Sequence, residues 1–161
     1  MSRMRFSPTS VILFVCVALP SMAQRNVPVP SACTPQVNQK LADLLDEGIT
    51  HYVDNVMVCG ITFRASQHQY GHRHGDHEIL PIRVTLPDSS VRLVEVVVND
   101  DLDGVVTAPA NATIFAYGQA FFPTRGHFVA GIHDVHCSTH RGADNGWVVV
   151  NSARHPVNCR R

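Results

Sequence analysis

The chain has 161 residues, and its 13 lysines and arginines balance 13 aspartates and glutamates, so the formal charge is zero with histidines neutral. Apolar residues make up 45% and charged residues 16%. This composition describes a folded globular chain, and it excludes both a disordered polyelectrolyte and a surface built to neutralise phosphates.

Arg3 and Arg5 precede an apolar run from Val11 to Leu19, and Pro20 with the small-x-small triplet Ser21-Met22-Ala23 follows. The order of charged region, apolar region and cleavage site predicts a signal peptide over residues 1–23. The run is shorter than the roughly 20 residues of a membrane span. Val15 is not the small residue that a lipoprotein site needs before its cysteine, so Cys16 is expected to leave with the signal. Cleavage leaves about 138 residues, one ordinary domain, slightly acidic and without a membrane span. The expected location is periplasmic or extracellular.

Four cysteines then remain: Cys33, Cys59, Cys137 and Cys159. An even count in an oxidising compartment predicts two disulfides, and four cysteines allow three connectivities. We expect Cys33 with Cys159, tying the two ends together, and Cys59 with Cys137.

Residues 24–33 carry Pro28 and Pro30 and read as an extended linker, leaving 34–161 as a single domain. Thr34 stands as an N-cap before Pro35, and Val37, Leu41, Leu44 and Leu45 recur at helical spacing until Gly48 ends the pattern. One N-terminal amphipathic helix is predicted. From Val56 the pattern changes to short β-branched and aromatic runs between turn residues. Strands are predicted near 56–64, 79–86, 91–98, 112–122, 128–135 and 147–151. Pro87-Asp88-Ser89-Ser90 reads as a hairpin turn, and Pro81 weakens the start of its strand or confines it to an edge. The fold class is therefore mainly β, five to six strands in a small barrel or sandwich.

The connections Ala65–His77 and His136–Gly146 interrupt this regularity and are rich in histidine and glycine. Loops on a stiff barrel are common carriers of binding and chemistry. His68, His72, His74 and His77 lie around the first, and His127, His133, His136 and His140 around the second. Imidazole is the commonest protein ligand for transition metals such as zinc or copper. The predicted metal set is His72, His74, His136 and His140, with His77, His133 and Asp134 as further candidates. Asp76 and Glu78 are placed to add ligands or to orient imidazoles. Exposed or structural loop histidines are the competing reading.

The motifs His72-Arg73-His74, Val98-Asn99-Asp100-Asp101-Leu102, Tyr117-Gly118, and His136-Cys137-Ser138-Thr139-His140 followed by Gly146-Trp147 resemble those of a bacterial family of small exported proteins. That family is known only as a domain of unknown function (number 3465). The resemblance covers roughly residues 56–151. It implies an OB-like barrel and an exported protein, and it implies no reaction.

Other signals are weaker. Asn99, Asp101 and Asp103 before Gly104 copy the first half of a calcium loop, but Ala110 stands where the bidentate glutamate belongs. Cys137 has histidines beside it, yet an available disulfide partner speaks against a catalytic thiol. Tyr70, Arg73 and Trp147 are candidate ligand-contacting residues, with Trp147 equally suited to close the core. Phe121, Phe122, Phe128, Arg64, Arg83 and Arg125 supply the aromatic and basic residues of a strand-binding barrel, but the acidic mature chain argues against nucleic acid. The leading expectation is an exported, disulfide-stabilised binding module whose two His-rich loops form its functional edge. An oligosaccharide, a metal ion or an envelope protein would be its partner. A metal-dependent hydrolase with Asp134 or Asp76 as base is the alternative, and catalysis stands behind binding.

Overall fold

The computed structural model describes residues 26–71, 75–139 and 144–159. A short 3₁₀ turn over Pro35–Asn38 runs into helix α1 (Gln39–Asp46). Gly48, at φ +67°, takes the left-handed turn that ends it. Eight strands follow: β1 (Val53–Thr62), β2 (Gln67–Gln69), β3 (His77–Thr85), β4 (Val91–Asn99), β5 (Thr113–Phe121), β6 (Ala130–His133), β7 (Trp147–Val150) and β8 (Ala153–His155). A one-turn helix, α2 (Asp100–Asp103), leaves the end of β4.

Five strands close a barrel in the order β1-β3-β4-β6-β5 and back to β1. All neighbours are antiparallel except β4 and β6, which are parallel. Closure leaves the five strands no open edge except where β2, β7 and β8 add short pieces. The expected mainly-β barrel with one N-terminal helix is thus observed. Strands β2 and β8 were not expected.

Period-two alternation sorts the strands into two faces. Leu80, Ile82 and Val84 of β3, Val94, Val96 and Val98 of β4, and Ile114, Ala116 and Ala120 of β5 point inward and are fully buried. A second cluster lies outside the barrel: Cys59, Phe115, Tyr117, Trp147 and Val149, covered by Val27, Val29 and Val37. The segment after the predicted signal is therefore a strap over β1, β5 and β7 rather than a free linker. Its bonds are specific, with Trp147 Nε1 donating to the Val27 carbonyl at 2.9 Å and Asn145 Nδ2 to Asn26 Oδ1 at 3.0 Å. Trp147 has no exposed surface, so the expectation of a ligand-contacting tryptophan is corrected: it is a core residue under the strap.

Two more expectations change. The disulfides are Cys33–Cys59 and Cys137–Cys159, not the pairings expected from joining the ends. Each links segments that are close in sequence: the strap to β1, and the tail to the loop after His136. Pro81 is not on an edge, because it pairs with Glu95 of β4. Its carbonyl accepts from Phe63 N on the other side, where β1 ends, so the N–H it lacks is missing where the ladder already breaks.

Candidate metal centre and a neighbouring cleft

The inward stripes of β3 and β4 do not end apolar. Glu78 continues the phase of Leu80 and Ile82, and Asp100 continues that of Val96 and Val98, so both carboxylates reach the same end of the barrel. His68 lies opposite Glu78 in the β2–β3 ladder. Three bonds fix Asp100 there: its N–H donates to the Asp76 carbonyl at 2.9 Å, and Asn99 Oδ1 caps α2 by accepting from the N–H groups of Asp101 and Leu102. The Asn99-to-Gly104 segment, which resembled half a calcium loop, is this capped helical turn.

The three side chains each offer one ligand atom, and these atoms lie within 4.8 Å of one another. His68 Nδ1 is 3.1 Å from Glu78 Oε1 and 3.3 Å from Asp100 Oδ2, and its Nε2 is 3.4 Å from Asp76 Oδ2. The Glu78 and Asp100 side chains are only 5% and 9% exposed. Among the described residues neither oxygen of Asp100 has a hydrogen-bond partner, although a buried carboxylate without one is costly. Burial, and then the neighbouring Glu78, push the Asp100 carboxyl above its ordinary value. A divalent cation between these atoms would remove that conflict, and the residues fit one.

A second group lies on the outer face. His77 and Asn99, out of phase with Glu78 and Asp100, join Val97, Leu102, Tyr52, Phe121, His133, Asp134 and His136 in a cleft of 260 Å³. Asp134 Oδ1 stands 3.1 Å from His133 Nδ1 and 3.6 Å from His136 Nε2. The hydrogen bond from His133, reinforced by His136, holds the Asp134 carboxyl well below the usual range, and Asp134 in turn raises His136. Asp134 occupies the left-handed region at φ +54°. Gly118 and Gly146 pack against its backbone so tightly that a Cβ on either would strike the His133 or Asp134 carbonyl. The imidazole of His133 meets Tyr52 and Phe121 edge-on, each with centroids 5.5 Å away. Asp103 is pushed up to about 6 by burial, with His136 opposing.

Of the predicted metal set, His72, His74 and His140 lie outside the described residues, as does Arg73. His136, His133, Asp134 and His77 gather at the outer cleft. Tyr70 is 81% exposed and sets its ring against that of His68, with centroids 4.5 Å apart. Sequence reasoning placed Glu78 and Asp76 as auxiliary ligands and His68 in the first loop, but passed over Asp100. Its signal was present in the phase it shares with Val96 and Val98.

No family model, no curated protein and no solved structure matches the chain. Among the described residues no helix is long and apolar enough to cross a membrane.

Proposed function

We propose that this protein is an exported binding module that holds a divalent metal ion at one end of its barrel through His68, Glu78 and Asp100. The observation that carries the reading is the Asp100 carboxylate, nine-tenths buried and without a hydrogen-bond partner, facing a second buried carboxylate and an imidazole. Two carboxylates and one imidazole are a donor set for manganese or zinc ahead of copper, since oxygen ligands favour the harder ions. The loop that ends at His77 supplies Asp76, beside the other nitrogen of His68. Export is supported by the charged and apolar N-terminal run, by the two disulfides, and by the strap that docks just after the predicted cleavage point. Membership of the exported OB-like family rests on the short motifs together with a barrel of compatible strand number.

The hydrolase alternative needs Asp134 or Asp76 as a base. Asp134 is held anionic by two imidazoles, which makes it a weak base at neutral pH. Binding is the better-supported reading.

Calorimetric titration of chelator-stripped, untagged protein with manganese and zinc tests the site. One ion per chain is expected, with at least a tenfold loss of affinity in Glu78→Gln and in Asp100→Asn. Absence of binding, or equal binding by both variants, would leave His68 bridging the acidic groups without an ion and overturn the metal reading.

A further inference from the structure

The outer cleft is a separate site, and nothing in the metal-binding reading uses it. We infer that it binds one neutral pyranose unit of a glycan, stacked on Tyr52 and hydrogen-bonded to His133, Asp134 and His136.

The cleft's lining mixes apolar and polar side chains. Tyr52 is 65% exposed and Leu102 57%, and with Phe121 and Val97 they supply the apolar part of the lining. Exposed aromatics of this kind present a flat apolar face with a polar tip. The rest of the lining is polar, and its His133 touches Tyr52 and Phe121. His133 Nδ1 faces Asp134, so in the neutral ring the proton sits on that nitrogen and Nε2 is left as an acceptor. That Nε2 is buried and without a partner. Tyr52 and Phe121 both pack edge-on against this ring. Asp134 adds a second acceptor, and His136, whose pKa Asp134 raises, adds a donor.

The charges select the ligand class. The carboxylate of Asp134 is paired with an imidazole on either side, at 3.1 and 3.6 Å, so the cleft holds no unpaired carboxylate to draw a cationic ligand. It asks instead for neutral groups that both donate and accept beside an apolar ring face. Hydroxyls on a pyranose meet both demands. At 260 Å³ the cleft is smaller than the roughly 300–1,000 Å³ of drug-sized pockets, which fits a single sugar unit. The left-handed backbone of Asp134, clamped between Gly118 and Gly146, keeps the polar part of the lining set before any ligand arrives.

The test is a titration of ¹⁵N-labelled protein in the presence of EDTA, so that its result is independent of the metal centre. The probes are the methyl glycosides of glucose, mannose and N-acetylglucosamine, and their tetrasaccharides. At least one probe is expected to produce saturable amide shifts confined to Tyr52, Phe121, His133 and Asp134. Tyr52→Ala is expected to weaken that probe at least tenfold, while Tyr52→Phe stays within threefold. Each variant's own spectrum reports whether it has kept the fold, and should Tyr52→Ala lose it, Leu102→Ala is read instead, with weakening again expected. No saturable shift with any probe, shifts elsewhere on the barrel, or unchanged affinity in the cleft variant would overturn the inference.

Discussion

His68 Nδ1 lies 3.3 Å from Asp100 Oδ2 and 3.1 Å from Glu78 Oε1, so one imidazole nitrogen faces two largely buried carboxylates. Without a cation the two acids oppose each other. Burial and Glu78 both favour the neutral form of Asp100, and a group whose folded pKa is raised loses stability for the protein as pH climbs through that pKa. In chelator at pH 7.5, Asp100→Asn is therefore expected to raise Tm by about 3 °C. With saturating metal the order reverses, because only the wild type is stabilised by the ion. Scanning calorimetry in EDTA and in manganese reads both arms.

The Asp134–His136 pair carries the opposite sign. Asp134 is lowered, so its contribution is present above the ordinary carboxylate range and is lost as pH falls. His136 is raised, so its contribution is complete below about 6.5 and is lost as pH rises through its folded value. Asp134→Asn should accordingly cost most near pH 5.5 and least near pH 9 in urea denaturation. The same substitution should lower the titration midpoint of the His136 ring proton in NMR, and an unchanged midpoint would remove the pairing.

Asp103 supplies a third pH handle. Its carboxyl is pushed up to about 6 by burial, so the stability that comes from keeping it neutral is complete below pH 4 and is lost as pH rises through about 6. Asp103→Asn is expected to stabilise the metal-free protein at pH 8 and to change little at pH 4. Urea midpoints at the two values check this.

Disulfide mapping of the native protein should recover Cys33–Cys59 and Cys137–Cys159. Each bridge closes a short loop, with separations of 26 and 22 residues. Replacing either pair by serine should cost about 3 kcal/mol. Losing Cys33–Cys59 should also expose Trp147, because that bridge anchors the strap whose Val27 carbonyl receives the indole N–H. A red shift of tryptophan emission in that variant alone is the expected signature.

The barrel was legible because its information is periodic. The inward residues of β3 and β4 recur at every second position, with Arg83 and Glu95 among the outward ones between them, and Pro35 and Gly48 bracket the helix. What stayed hidden was set by tertiary partners that carry no periodic signal. Gln67–Gln69 has no apolar pattern and is a strand only because β3 offers it a ladder where β1 has ended. Disulfide pairing depends on the strap folding back over β1, which no spacing encodes. Histidine density drew attention to His72, His74, His136 and His140, whereas the candidate centre takes one histidine and two acids whose only mark is the phase they share with the core. Asp100 looked like part of a solvated exit because the bond that holds its backbone, to the Asp76 carbonyl, comes from a different loop.

The metal centre is tested most directly by native mass spectrometry of untagged protein, stripped with chelator and then exposed to one equivalent of manganese or zinc. The account predicts a single added ion on the disulfide-bonded chain, retained by Asp134→Asn and lost by Asp100→Asn and Glu78→Gln. A mass that never rises above the metal-free value, or an ion retained by both Asp100→Asn and Glu78→Gln, would contradict it.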